Sequence, residues 1–234
     1  NMSYEEIEDI LAGMKKDKKT YIRCNTLKGS TDYIKKILEE EGVTVTEVSG
    51  LSYAYEISGY DYLTALKSFN EGLYQIQDIS SMMAGEYVKP STDSLIVDVC
   101  AAPGGKTMYA AERTGEQGHV YARDISEEKI DKLEENLGRL EIHNVTTKVW
   151  NAMETDPKMI EKADVVLADL PCSGLGVMAR KNDIKYHVTA DSISELAEIQ
   201  KNILDACASY VKPGGTLIFS TCTMTRPPEF LQAW

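Results

Sequence analysis

Leu95-Ile-Val-Asp98-Val-Cys-Ala-Ala-Pro-Gly-Gly-Lys-Thr107 decides the fold of this chain. An apolar, β-branched run ends on an acid, small residues carry the backbone through a bend, and Lys106-Thr107 opens a helical pattern. That order describes a first strand turning into the first helix of an α/β sheet, the junction at which such folds hold a cofactor. The loop has neither the GxGxxG pattern nor the GxxxxGK[ST] spacing that cradles phosphates. A tight Ala101-Ala-Pro-Gly-Gly105 turn followed by one lysine suits a nucleoside with an amino-acid tail. S-adenosylmethionine fits, with Lys106 as a partner for its carboxylate.

Downstream of the loop, strand and helix alternate, which argues for a parallel sheet wound by right-handed crossovers. Strands are expected at 95–99, 118–123, 145–149, 163–169 and 215–221. Helices are expected at 105–114, 126–139 and 191–211, with a short one near 156–161. Lys212-Pro-Gly-Gly215 reads as a stop before the last strand. Ligands in such sheets sit beyond the carboxyl ends of the strands, and acids stand there: Asp98, Asp124 and Asp169, with Asn151 after the third strand. Asp124 occupies the position from which an acid accepts ribose hydroxyls; capping the helix ahead of Ser126 is its alternative role.

Upstream, Ser3 caps a short amphipathic helix over 3–13 carrying Ile7, Ile10, Leu11 and Met14. Thr20–Thr26 alternates as a strand, 31–41 is a helix closed by Gly42, and 43–48 and 53–57 are further strands. Ser80–Val88 is a helix ending at Lys89-Pro90. The chain therefore divides into a small α+β subdomain over 1–90 and a doubly wound, Rossmann-like domain over 91–234. The small sheet is either an RNA-contacting surface or packing support for the larger domain.

The whole chain of 234 residues is long enough to bury a substantial core, and 43% hydrophobic with 26% charged residues is ordinary for a globular protein. No apolar run approaches the roughly 20 residues of a membrane span, and no signal segment opens the sequence, so a cytoplasmic protein is expected; a monomer is expected separately. Asn1 before Met2 reads as a tag remnant. The five cysteines are scattered without the paired spacing of zinc sites, which points to thiols and no metal. With 25 basic against 37 acidic residues, the net charge of −12 counts against unaided nucleic-acid binding. Basic residues are nevertheless grouped at Lys15, Lys16, Lys18 and Lys19, at Arg23 and Lys28, at Lys35 and Lys36, and at Arg180, Lys181 and Lys185. The first group reads as a solvated face. Cys24 and Cys207 read as core residues, and His119, His143 and His187 as surface or packing residues.

Two further motifs raise the specificity. Asp169-Leu-Pro-Cys-Ser-Gly174 and Ser220-Thr-Cys-Thr223 each put a cysteine just beyond a strand, and those strands would be neighbours in the usual doubly wound order. Two thiols facing one cleft suit methylation of cytosine at C5. That carbon is a poor nucleophile until a thiolate adds at C6, and a base must later take the C5 proton. An aspartate beside the base can hydrogen-bond its ring nitrogen.

On these motifs, with Tyr21-Ile-Arg-Cys-Asn-Thr-Leu27 and Gln77-Asp-Ile-Ser-Ser81, the chain resembles the Nol/Nop/Sun family of RNA cytosine-5 methyltransferases, closest to its bacterial ribosomal RNA branch. The resemblance implies Cys222 as nucleophile, Cys172 as the thiol that assists product release, and Asp169 as the group contacting base and cofactor. It also implies S-adenosylmethionine held by Cys100, Ala101, Ala102, Pro103, Gly104, Gly105, Lys106, Asp124, Asn151 and Asp169. RNA, expected to be ribosomal, would lie near Arg23, Arg180, Lys181 and Lys185, and Asp183 matches the same segment. Asn151 stands where the family has an aspartate, Leu170 replaces a small residue and Asn182 a proline. After Thr223 the usual acidic continuation gives way to Met224-Thr-Arg-Pro-Pro, and the final strand pair of a methyltransferase sheet is expected to be missing. The alternative function is a catalytically silent cofactor- or RNA-binding remnant.

Overall fold

The computed structural model describes residues 3–14, 19–115, 117–180 and 183–223. In chain order the helices are α1 (Tyr4–Met14), α2 (Thr31–Glu40), α3 (Lys67–Asn70), α4 (Ile79–Glu86), α5 (Gly105–Thr114), α6 (Glu127–Leu140), α7 (Ile184–His187) and α8 (Ala190–Ala208). The strands are β1 (Thr20–Cys24), β2 (Thr44–Glu47), β3 (Ala54–Ser58), β4 (Tyr74–Ile76), β5 (Leu95–Asp98), β6 (His119–Asp124), β7 (Val145–Val149), β8 (Ala163–Asp169) and β9 (Val211–Ser220).

The parallel sheet runs β7-β6-β5-β8-β9, so strand order reverses at β5, between β6 and β8. This is the doubly wound arrangement read from the sequence. Ile96 of β5 pairs with Val120 on one side and Val165 on the other, and all three are buried with Met108 of α5 and Leu133, Leu137 and Leu140 of α6. Burying a leucine such as Leu133 completely is worth about 2 kcal/mol, so this layer holds the strand ends in place.

The small sheet is antiparallel, ordered β2-β3-β1-β4, and packs α2 through Ile34 and Leu38 onto Ile22, Tyr55 and Ile57. It is bonded directly to α6. Asn25 donates from Nδ2 to the carbonyls of Gly72 and Leu140, and Arg139 donates to the carbonyls of Phe69 and Tyr74 while its guanidinium lies 4.0 Å from the Phe69 ring centroid. Gly72 sits at φ 68° against this joint, where a Cβ would stand 1.9 Å from the Arg139 carbonyl oxygen. Both sheets accordingly belong to one compact unit, Lys19–Asp169 with Ile203–Ser220. The described residues of Asn1–Lys18, Leu170–Asn202 and Thr221–Trp234 form a second, and the boundary falls within α8.

Three expectations about elements change. The last strand begins at Val211 rather than at residue 215: Val211 pairs with Ala163, the register shifts, and Thr216 then pairs with Val165. Lys212-Pro-Gly-Gly215 is the irregularity itself, because Pro213 has no N–H for the ladder and Gly214 adopts φ 81°. No helix forms at 156–161; that stretch is a turn in which Asp156 Oδ1 accepts the Lys158 N–H and Glu161 takes φ 53°. Strand β4, absent from the sequence reading, completes the small sheet. In the second unit, Ser3 and Glu6 exchange reciprocal side-chain to backbone bonds, the capping box that starts α1.

Candidate active site

Each acid at the carboxyl end of the parallel sheet has a distinct task. Asp98 closes β5 and is 1% exposed. Its Oδ2 accepts the Thr107 hydroxyl at 2.6 Å and its Oδ1 accepts the Cys100 N–H at 3.3 Å, so one side chain grips both ends of the glycine loop. Burial pushes its carboxyl up to about 7, against the opposing effect of the Thr107 bond. Asp124 closes β6. Its Oδ2 accepts the Ala102 N–H at 3.0 Å, and its Oδ1 accepts the Ile125 N–H at 2.8 Å and Lys129 Nζ at 2.9 Å. The cap of α6 is Ser126, so Asp124 is held for the loop and not as that helix's cap.

The loop itself is fixed at every turn. The Ala101 N–H reaches the Arg123 carbonyl at 2.8 Å, the Ala102–Pro103 peptide is cis, and the Pro103 carbonyl accepts Asn136 Nδ2 at 3.1 Å. Gly104 adopts φ 108°, and a Cβ there would lie 2.5 Å from Leu133 Cδ1. Gly104 therefore lets α5 approach α6 rather than forming a phosphate cradle. Burial raises the Cys100 thiol far above its ordinary range, with Asp98 and Asp124 adding to the shift, which keeps it protonated and unreactive.

Lys106 Nζ lies 2.7 Å from Asp169 Oδ2 and 3.3 Å from Ser81 Oγ, while Asp169 Oδ1 accepts the Ser220 hydroxyl at 2.6 Å. Ser81 also accepts from Gln77 Nε2 at 3.2 Å, and Gln77 Oε1 accepts Arg23 Nε at 2.9 Å. A continuous polar chain thus joins Arg23, Gln77, Ser81, Lys106 and Asp169. Sequence reading assigned no role to Ser81, Ser220 or Gln77, although all three lie inside motifs it quoted. Asn151 Nδ2 bonds Glu154 Oε1 at 3.2 Å beyond β7.

The second unit carries the two thiols. Cys172 Sγ lies 2.9 Å from Cys222 Sγ and accepts the Cys222 N–H at 3.1 Å. Ser173 Oγ meets Thr223 Oγ1 at 2.7 Å, and the Gly176 N–H reaches the Cys222 carbonyl at 2.9 Å. A Cβ on Gly176 would stand 2.9 Å from that carbonyl oxygen, so glycine permits this approach. Gln200 Nε2 anchors the Pro171 carbonyl at 2.8 Å.

Of the basic positions, Arg23 is buried, 1% exposed, and its guanidinium is ion-paired with Glu112. Alternation along β1 fails as a guide because Ile22, Arg23 and Cys24 are all buried. Arg180 is exposed. Lys181, Asn182, Lys15, Lys16, Lys18 and the segment from Met224 lie outside the described residues, and Lys185 belongs to α7. Among the described residues no helix is long and apolar enough to cross a membrane.

A parallel sheet with this strand order, acids at its strand ends and a small-residue loop entering α5 defines a Rossmann-like methyltransferase fold. A family model described as 16S rRNA methyltransferase RsmB/F matches residues 86–230, and the chain belongs to this family of S-adenosylmethionine-dependent enzymes. Curated relatives named ribosomal RNA small subunit methyltransferase B are 34% identical over 95% of this chain and 53% of the relative in Proteus mirabilis, and 36% identical over 91% and 49% in Vibrio cholerae. The chain spans about half the length of these relatives. A methyltransferase homologue from Pyrococcus horikoshii superposes with a TM-score of 0.83 at 30% identity, over 96% of this chain and 72% of that one. NSun6 from the same organism, solved with SFG, shares the fold at a TM-score of 0.87 and 23% identity, over 98% and 82%.

The donor set fits S-adenosylmethionine. An acid ends the second strand, an amide follows the third, a cation and an anion stand together at Lys106 and Asp169, and the loop glycine is filled by Leu133 where a polyphosphate would need room.

Proposed function

We propose that this chain carries the catalytic part of an enzyme that methylates C5 of a cytosine in RNA, ribosomal RNA by its family, through a covalent bond between Cys222 and C6 of the base. The observation that carries this reading is the pair of thiols, Cys172 and Cys222, within hydrogen-bonding distance on the segments that follow β8 and β9. One thiol suffices for nucleophilic attack; a second in contact has a use when the first must be both a thiolate and a leaving group.

In this reading the target base leaves its stack to reach the site. Cys222 adds as thiolate to C6, which makes C5 nucleophilic. C5 takes the electrophilic methyl group that bound S-adenosylmethionine would supply, and the methyl–sulfur bond breaks with its electron pair left on the departing thioether. A base then removes the C5 proton, the C6–S bond breaks, and the electron pair of the C5–H bond restores the ring double bond as the thiolate departs. The Cys172 S–H donates to the Cys222 sulfur whenever that sulfur carries charge, which favours its departure. Asp169 would hydrogen-bond the cytosine ring nitrogen and, with Lys106, the amino-acid end of the cofactor. Cys100 to Lys106, Asp124 and Asn151 would hold the remainder of it. Arg180, Lys181 and Lys185 supply local positive charge for phosphates, which a chain of net charge −12 needs.

The test is transfer of labelled methyl groups from S-adenosylmethionine to unmodified 16S ribosomal RNA, followed by digestion to nucleosides. Label in 5-methylcytidine supports the reading. Cofactor binding without transfer would favour the silent cofactor-binding alternative.

A further inference from the structure

Outside the strand-end site, a pocket of about 390 Å³ opens between the small sheet and α5, within the range of pockets that hold small molecules. Its walls include Arg23, Glu112, Tyr53, Tyr109 and Arg113, with Ser52 at the exposed rim. None of these residues belongs to the loops described above.

Besides the Tyr53 hydroxyl, two buried atoms in the pocket residues have no partner: Arg23 Nη2 and Glu112 Oε1. Their side chains are 1% and 6% exposed, and their other polar atoms are engaged, Arg23 Nη1 with Glu112 Oε2 and Arg23 Nε with Gln77. A buried polar atom left unpaired costs roughly 1–3 kcal/mol, so the pair is incomplete without something that both accepts and donates. A simple anion would satisfy the guanidinium but oppose the carboxylate. The planar edge of a nucleobase carries an acceptor beside a donor and satisfies both. At the pocket mouth stand planes on which bases stack: the half-buried Tyr53 ring and the exposed Arg113 guanidinium, 5.7 Å from the Tyr53 centroid.

We propose that this pocket receives one unstacked nucleobase of the RNA substrate, read at its edge by Arg23 and Glu112 and stacked against the tyrosine and arginine planes. The RNA origin of the base rests on the function proposed above. The pocket is also the far end of the polar chain through Gln77, Ser81 and Lys106 to Asp169, so an occupied pocket is wired to the cofactor site.

The experiment titrates the full chain, labelled with ¹⁵N, with AMP, GMP, CMP, UMP and inorganic phosphate while following the Arg23 and Arg113 Nε–Hε resonances. A saturable Arg23 shift is expected with at least one nucleotide and none with phosphate. Ser52→Trp, which fills the rim without touching the ion pair, is expected to weaken that binding about tenfold or more, near 1.4 kcal/mol, with an unchanged melting temperature and S-adenosylmethionine affinity. No nucleotide shift, an equal shift from phosphate, or wild-type affinity in Ser52→Trp would overturn the proposal, leaving the unpaired atoms to water. Methyl transfer measured in parallel separates the two readings. Transfer without nucleotide binding removes only the pocket, and nucleotide binding without transfer removes only the methyltransferase.

Discussion

Cys172 Sγ lies 2.9 Å from Cys222 Sγ and also accepts the Cys222 backbone N–H at 3.1 Å, so the position of one thiol is set by the other. In the proposed chemistry that contact lets one sulfur attack while its neighbour steadies the departing charge.

The backbone under Cys222 is held by Gly176, where a side chain would meet the Cys222 carbonyl oxygen at 2.9 Å. Gly176→Ala is expected to shift Cys222 and lower kcat for methyl transfer by about tenfold or more. The affinity for S-adenosylmethionine should stay as it is, since the loop residues are untouched. Calorimetry and steady-state kinetics on the same preparation check both halves.

Lys106 supplies the cation 2.7 Å from Asp169. Lys106→Met should weaken S-adenosylmethionine binding about tenfold or more, close to 1.4 kcal/mol, because a charge-assisted contact to the amino-acid end is lost. An unchanged Kd by calorimetry would remove Lys106 from the cofactor site.

Asp98 ties stability to pH. Its carboxyl is raised in the folded chain from 3.8 to about 7, so between those values the folded state holds a proton that the unfolded chain releases. Its contribution is therefore fully present below about pH 4 and is lost as pH rises through about 7. Melting temperature followed from pH 4 to 8 should fall more steeply in the wild type than in Asp98→Asn, which has no proton to lose. Parallel curves would contradict this assignment.

Gly72, at φ 68° with the Arg139 carbonyl oxygen 1.9 Å from where a Cβ would stand, couples the small sheet to α6. Gly72→Ala is expected to cost more than about 2 kcal/mol, from backbone strain together with a clash that only a backbone shift relieves. Urea unfolding monitored by circular dichroism measures it.

Much of this was legible in the sequence because its signals are local. The run Leu95 to Asp98, the bend of small residues and the start of α5 all lie within about a dozen positions, and the acids at 98, 124 and 169 mark where apolar strands stop. What escaped was non-local. Lys212-Pro-Gly-Gly215 reads as a turn in isolation; its bulge exists only because Val211 and Thr216 both pair with β8. Strand β4 has three residues, too few for a period, and is defined by pairing with β1. Arg23 resembles any basic residue on a strand until Glu112 of α5, 89 positions away, takes its guanidinium. The thiols of Cys172 and Cys222 were paired by motif, whereas Ser81 and Ser220 acquire meaning only as neighbours of Lys106 and Asp169.

The covalent bond proposed at Cys222 is tested most directly by RNA containing 5-fluorocytidine at the target position. Fluorine at C5 cannot be removed as a proton, so after methyl transfer the adduct cannot resolve. With S-adenosylmethionine present, the wild-type chain should form a denaturation-resistant protein–RNA complex whose tryptic peptide is modified at Cys222, and Cys222→Ala should form none. An adduct that persists in Cys222→Ala, or that maps to Cys172, would contradict the assignment.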